Sequence, residues 1–273
     1  MTPCVEGALR FASLGSGSEG NALVVCGSGS PGLDPTTGRP RVLLIDCGFG
    51  WRETQRRLAR LGLEAGDVVG ILVTHEHADH VGGVFRLARQ VSRPVFITPG
   101  TLRACTPPEA CRPLIRLIDA HTPFECQGWR IEPFPVPHDA LEPVQYVLDD
   151  GRVRLGVITD LGHPTPHLPK ALSRLNALVL ETNHDAGLLA ASHYPPGLRA
   201  RIGGPYGHLE NQDAASLLAG LDRSQLEVVV AAHLSRHNNR PALAQAALAP
   251  VLGWHPEAIR VADQDEGLAW VDL

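Results

Sequence analysis

Largely apolar runs of five or six residues recur along the first third of the chain, at Leu9–Leu14, Asn21–Val25, Arg41–Ile45 and Val69–Val73. Each stops at a Gly, Asp, Thr or Cys, and each reads as a buried strand. Further strands are predicted at Pro94–Thr98, Trp129–Val136, Pro143–Leu148 and Arg152–Thr159. Helical spacing is seen in Trp51–Leu63, where Trp51, Leu58 and Leu61 share a face and Arg52, Arg56, Arg57 and Arg60 read as a solvated one. Shorter helical patterns fall at Phe85–Val91, Lys170–Leu175, Asn211–Leu221 and Pro241–Leu248. Strands in runs with helices set outside them predict an α/β fold in layers rather than a regular βαβ repeat.

Composition limits what this pattern can be. With 273 residues, 44% of them hydrophobic, the chain can bury a full core, and one domain over residues 1–273 is expected. No apolar run approaches the roughly 20 residues of a membrane span, and Met1–Gly7 lacks a signal peptide's basic and apolar regions. A cytoplasmic protein with no membrane partner is the expectation. The six cysteines, Cys4, Cys26, Cys47, Cys105, Cys111 and Cys126, show no C-x-x-C spacing and read as reduced, mostly buried thiols. A net charge of −5 argues against a surface that binds nucleic acid all over, while leaving room for a local basic groove.

Gly15-Ser16-Gly17-Ser18-Glu19-Gly20 fits the G-x-G-x-x-G pattern of dinucleotide sites. The next residues, Asn21–Val25, are strand-like, so no helix N-terminus is there to take a pyrophosphate. The stretch reads as a β-hairpin turn. The Gly-, Pro- and Thr-rich segment 27–41 reads as a surface connection.

The chemistry concentrates after Val69–Val73. Of 13 histidines in the chain, His75, His77 and His80 fall within six positions and are interleaved with Asp79. In an extended backbone His75, His77 and Asp79 point to one side and His80 to the other, so a turn here aims two ligand pairs at neighbouring metal sites. Imidazole with carboxylate suits Zn, Mn or Fe. The zincin pattern H-E-x-x-H fails, because position 79 is Asp and the stretch is not inside a helix. At Asp46, which ends the run before it, a carboxylate orienting a ligand histidine and a turn-capping carboxylate are equally good readings.

Thr74-His75-Glu76-His77-Ala78-Asp79-His80 resembles the H-x-H-x-D-H signature of the metallo-β-lactamase superfamily. That resemblance implies a four-layer αββα sandwich of two mixed sheets with outer helices. Three residues at predicted strand ends, His138, Asp160 and His233, complete the two-metal set it implies. In it His75, His77 and His138 hold one metal, Asp79, His80 and His233 the other, and Asp160 bridges. Two divalent ions, Zn or Mn, then serve hydrolysis by a metal-bound hydroxide. Relatives that reduce oxygen resemble H-x-E-x-D here, and His77 excludes that role. His121, His163, His167 and His255 read as structural.

Several later blocks are more specific: Glu181-Thr182-Asn183-His184-Asp185, Tyr194-Pro195 with Leu198–Ile202, Gly207-His208-Leu209-Glu210-Asn211, and His233-Leu234-Ser235-Arg236-His237-Asn238-Asn239. With Leu14–Asn21 they resemble the YycJ/WalJ-type family across Phe11–Asn239. The resemblance implies an exonuclease acting on DNA, ahead of RNA, from the 5′ end. On physical grounds Asp79, His184 and His208 are the expected catalytic residues, and Arg199, Arg201, Ser235 and Asn238 the expected substrate contacts, while a solvated helix face is a nearly equal reading of the two arginines. Three positions depart from the family pattern: Arg199 replaces Lys, Glu210 replaces Ser, and His237 replaces Glu. Two other classes compete with a nuclease. A hydrolase of a small ester, lactone, thioester or cyclic phosphodiester would use the same metals without needing Arg199 or Arg201. A non-catalytic binding protein of this fold would be expected to have lost ligands, and none is missing.

Overall fold

A computed structural model describes residues 9–27, 33–34 and 38–273. Its first half contains β1 (Arg10–Gly15), β2 (Ala22–Cys26), β3 (Val42–Ile45), α1 (Trp51–Arg60), β4 (Val68–Leu72), α2 (Ala78–Val81), α3 (Val84–Val91), β5 (Val95–Ile97), α4 (Pro99–Ala104) and β6 (Ile115–Leu117). The second half contains β7 (Phe124–Cys126), β8 (Trp129–Pro135), β9 (Val144–Asp149), β10 (Arg154–Ile158), α5 (Leu168–Ala171), β11 (Ala177–Glu181), α6 (Ala186–Ala191), α7 (Pro196–Ile202), α8 (Asn211–Ala219), β12 (Val228–Ala232), α9 (Pro241–Leu252), β13 (Arg260–Val261) and β14 (Leu268–Asp272).

The strands form two mixed sheets of seven, ordered β14-β1-β2-β3-β4-β5-β6 and β13-β12-β11-β10-β9-β8-β7. Antiparallel pairing along β14-β1-β2-β3 and β7-β8-β9-β10 gives way to parallel pairing from β3 to β6 and from β10 to β13. The central strands are apolar without alternation because both of their faces are covered. On β3, Leu43 and Ile45 join the core between the sheets, while Val42 and Leu44 pack with Leu58 of α1 and Leu87 of α3. On β12, Val230 and Ala232 face the other sheet, while Val229 and Ala231 pack with Leu217 of α8 and Leu248 of α9. This period-two sorting makes the four-layer αββα sandwich that the resemblance implied.

Position follows from topology. The parallel strands of each sheet run the same way, so the loops after β3, β4, β10, β11 and β12 gather at one edge of the sandwich. Tyr146, wholly buried between the sheets, donates its hydroxyl to the Val73 carbonyl at 2.6 Å, and Val144 N donates to Thr74 O at 3.0 Å. The second sheet thereby holds the segment leading to His75.

The Gly-rich motif is the β1–β2 hairpin turn, and its closing residue is tied to the metal-motif loop: Asn21 N donates to Asp79 O at 2.7 Å and Cys47 N to His80 O at 2.8 Å. Gly48 lies between them, so close to the Asp79 carbonyl that a Cβ would overlap it.

Some expectations need correction. Arg57 is not solvated: it is buried, with its guanidinium over the Phe49 ring and donating to Leu14 O at 2.6 Å and Gln264 O at 3.0 Å. Helical spacing alone does not reveal loop carbonyls that need a donor. The helix expected at Lys170–Leu175 is α5, beginning two residues earlier with Pro169 in its first turn and followed by a left-handed Arg174. The all-buried strand β11, which follows at Ala177–Glu181, is not among the predicted strands. Cys26 is disulfide-bonded rather than reduced, whereas Cys47, Cys105, Cys111 and Cys126 are free thiols, and Cys4 lies outside the described residues. Spacing along the chain does not show a pair that only the fold brings together. The segment 27–41 lies partly outside the described residues; within them, Leu33 bridges Pro40 and Arg39 pairs with Asp67.

Candidate metal centre and cleft

The loop after β4 carries the first ligands. His75 lies three residues beyond β4, His77 is the extended N-cap of α2, and the single turn of α2 carries Asp79 and His80. Asp46, left-handed at the end of β3 (φ 60°), holds His80 by placing Oδ2 2.8 Å from Nδ1. Its oxygens also accept from Thr74 N at 2.8 Å and Thr74 Oγ1 at 2.7 Å. Asp46 therefore orients a ligand histidine, and a merely turn-capping role is set aside.

His138 follows β8, and its Nδ1 donates to Gly207 O at 2.9 Å, leaving Nε2 as a lone-pair atom 3.2 Å from His77 Nδ1. His233 follows β12 in the left-handed region (φ 55°). Its Nδ1 donates to Glu181 Oε1 at 3.0 Å, and its Nε2 lies 3.7 Å from Asp79 Oδ2. Asp160, after β10, sits between these sets: Oδ2 is 2.9 Å from His80 Nε2, and Oδ1 is 3.7 Å from His138 Nε2. Ligand atoms of His75, His77 and His138 lie within 4.8 Å of one another, as do those of Asp79, His80 and His233, and those of His75, His80 and Asp160.

This donor set fits divalent cation binding. His75 Nε2 and His233 Nε2 are buried with no hydrogen-bond partner. Buried polar atoms are almost always satisfied, so imidazole nitrogens left unpaired within these clusters of candidate ligand atoms call for a cation. Without cations the carboxylates impose protons instead. Burial alone would lower His80 and His233, but Asp160 and Asp46 raise the former, and Asp160, Asp79 and Glu181 the latter, to about 10. His75 is held well below its usual range by burial and by the His80 charge, and His138 is lowered mainly by burial. Burial would raise Asp160, yet the charges of His233 and His80 outweigh it and hold it well below the usual carboxylate range.

His208 belongs to neither histidine triad, although its ring nitrogen lies within 4.8 Å of candidate ligand atoms of Asp160, Glu181 and His233. Its Nδ1 is 2.9 Å from Glu181 Oε1 and 3.2 Å from Asp160 Oδ1, and its ring lines a cleft of about 380 Å³ that opens over His77, Asp79 and His233. Burial opposes its charge, but Glu181 and Asp160 prevail and raise it to about 10.

Sequence reasoning assigned no role to Glu181, and the structure gives it a central position. It is wholly buried at the end of β11; Oε2 accepts from Leu161 N at 2.6 Å and Leu209 N at 3.2 Å while Oε1 serves both His208 and His233. The available signal was an acid closing an otherwise apolar strand. Asp139 was also missed: Oδ2 accepts from Arg201 Nε at 2.7 Å and Oδ1 lies 3.4 Å from His77 Nε2. Asn21 is a third, with Nδ2 3.3 Å from Asp79 Oδ2.

The expected substrate residues divide. Arg201 and Ser235 line the cleft. Arg199 turns away, its Nη1 donating to Ala190 O at 2.8 Å. Asn238 is wholly buried and spends its backbone carbonyl on Asp185 N. His184 is buried too, lies outside the cleft lining, and packs near Gly203 at the end of α7.

A model of the beta-lactamase superfamily domain matches residues 41–234. Exodeoxyribonuclease YycJ of Bacillus anthracis is 34% identical over 249 residues, 89% of each chain. The chain belongs to the metallo-β-lactamase superfamily, in its YycJ/WalJ family. Exodeoxyribonuclease WalJ of Streptococcus pneumoniae is 28% identical over 86% of this chain and 85% of its own. Among solved structures, the metallo-β-lactamase-fold protein YhfI of Bacillus subtilis superposes with a TM-score of 0.71 at 14% identity, covering 97% of this chain and 100% of its own. Zinc-bound PqqB of Methylobacterium extorquens gives 0.66 at 19% identity, with the same coverage. Both likenesses concern the fold. Membership in the YycJ/WalJ family explains why the blocks around Glu181, Gly207 and His233 converge, since each ends on the same cleft. No helix among the described residues is long and apolar enough to cross a membrane.

Proposed function

We propose that this protein is a metal-dependent phosphodiesterase that removes nucleotides from the 5′ end of DNA. The observation that carries the reading is the placement of His208 beside two ligand triads joined through Asp160, at the floor of a cleft that also presents Arg201. His75, His77 and His138 would hold one cation, Asp79, His80 and His233 the other, with Asp160 shared, and zinc or manganese suits the donors. When bound, such cations supply a nucleophilic water at neutral pH and charge to polarise the phosphoryl group.

The chain's own groups do the rest. Arg201, steadied through Nε by Asp139, presents its Nη atoms to a phosphate oxygen. As the water oxygen bonds to phosphorus, the scissile P–O bond breaks and the leaving oxygen gains negative charge. His208, fixed through Nδ1 by Glu181, donates a proton to that oxygen from Nε2 and recovers one from solvent. Exodeoxyribonuclease relatives at this identity and coverage support DNA as substrate.

The test is incubation of metal-reloaded protein with 5′- and 3′-labelled single and double strands of DNA and RNA, beside a panel of small esters. Stepwise release of the 5′ label from DNA is expected. Turnover of the esters alone would replace the reading with a small-molecule hydrolase.

A further inference from the structure

One wall of the cleft is apolar and has no protein partner. Leu198, Arg201 and Ile202 are spaced i, i+3, i+4 on α7 and so share a face, and all three line the cleft together with Tyr194 just before the helix. No residue of α7 is buried, and Leu198 is 37% exposed. The five exposed large hydrophobic side chains among the described residues are Leu117, Leu141, Leu198, Tyr206 and Leu243. Of these Leu198 lines the cleft, and Tyr206 directly precedes the cleft-lining Gly207 in the chain. Apolar surface concentrated where substrate must enter marks a binding face rather than chance exposure.

The rest of the lining sets what the occupant is. His77, Asp79, His208 and His233 also line the cleft and suit an anionic phosphate at a metal centre, and Arg201 shares the α7 face with Leu198. A ligand that fills both parts has an anionic group attached to a flat apolar one, which is a nucleotide. Tyr194 is suited to meet such a ring. It is partly exposed, and its face is fixed by the His237 ring, 6.0 Å away and steeply inclined at 74°.

We propose that Tyr194 and Leu198 form a platform that stacks the base of the terminal nucleotide while its phosphate lies at the metal centre. This rests on the nuclease reading above and adds a substrate class to it: a strand end whose last base is free of a duplex stack. Because every base has a π-face, the platform tolerates all four bases and discriminates against a missing one.

The test uses metal-reloaded full-length protein and two single-stranded DNA oligonucleotides, identical except that one carries an abasic site at its 5′ terminus. Wild-type protein is expected to show a half-saturating concentration at least about 5-fold higher for the abasic strand, the lower end of the range for a lost base–aromatic stack. In Tyr194→Ala that difference should collapse, and in Tyr194→Phe it should persist. Fluorescence of a terminal 2-aminopurine should be quenched on binding to wild type and not to Tyr194→Ala. Equal handling of the two strands by wild type, which needs no variant to fold, overturns the platform while leaving the nuclease intact. No cleavage of any DNA by wild type would instead overturn the nuclease reading on which the platform depends.

Discussion

The carboxylate of Asp46 reaches Nδ1 of His80 at 2.8 Å, and both residues are buried. Because Asp46 also takes both donors of Thr74, it fixes the His80 ring and the start of the motif loop together. With Nδ1 engaged, Nε2 is the atom left for a metal. Outer partners of this kind carry about 10–100-fold in metal affinity. Asp46→Ala is therefore expected to weaken binding of the cation that His80 would hold by that factor, measured by competition against a chelator. It should also lose stability, because Thr74 N is left buried without an acceptor. An unchanged metal affinity would mean that Asp46 only shapes the turn.

His208 and Glu181 give the second prediction. His208→Ala should keep both metals and the fold while turnover falls by roughly 10²–10⁴-fold, the range for a positioned acid–base group. Elemental analysis and a substrate titration on the same preparation decide it. Loss of metal would make His208 a ligand, and a raised half-saturating concentration with intact turnover would make it a binding group. Glu181→Ala should be worse than His208→Ala in stability, since it also strands the buried amides of Leu161 and Leu209.

How much of this was legible differs from residue to residue. His75, His77, Asp79 and His80 stand out because ligands cluster in a short span, and the strand before them was plain from its apolar run. His138, Asp160 and His233 are single residues in the sequence, and only the topology, which brings the ends of β8, β10 and β12 to one edge, places their side chains together. Glu181 was obscure for the same reason: its four acceptor contacts come from residues 20 to 52 positions away. Arg199 and Arg201 look equivalent in a one-dimensional pattern. Two positions on a helix differ by about 200° in direction, so one can serve the cleft and the other α6.

The metal-free protein should show a stability maximum near pH 6.5. His80, His208 and His233 are raised to about 10 in the fold, so their contribution is complete below the ordinary histidine value and is lost as pH climbs toward 10. His75 and His138 are lowered, so below that value the unfolded chain gains protons that the fold refuses, and stability falls on the acid side as well. Asp160 and Glu181, both depressed, extend that acid loss to lower pH; their attraction to the raised histidines is one interaction and counts once. Metal loading requires neutral imidazoles at the ligand positions, so it should release protons, tighten as pH rises, and reduce the alkaline decline by the share that His80 and His233 contribute. Urea denaturation of stripped and loaded protein from pH 5.5 to 9.5 checks this. Stripped protein that grew more stable between pH 7 and 9 would contradict it.

The two arginines of α7 supply the last prediction. Arg201 is 63% exposed in its side chain, lines the cleft, and uses Nε on Asp139, so its Nη atoms remain for a phosphate. Removing one phosphate contact on a single strand should weaken binding across all sequences and reduce the slope of log affinity against log salt by about 0.7. Arg201→Ala is expected to do both. Arg199 instead donates to the carbonyls of Ala190 and Ser192, holding α7 against the end of α6. Arg199→Ala should leave the salt slope unchanged and cost about 1 kcal/mol or less of stability, as for a largely exposed hydrogen bond. Binding isotherms for both variants at four salt concentrations, with urea melts alongside, separate the roles. Equal slopes for Arg201→Ala and wild type would remove Arg201 from the phosphate path and leave it as a strut for Asp139. A shallower slope for Arg199→Ala would show that α7 turns both arginines to the strand when substrate binds.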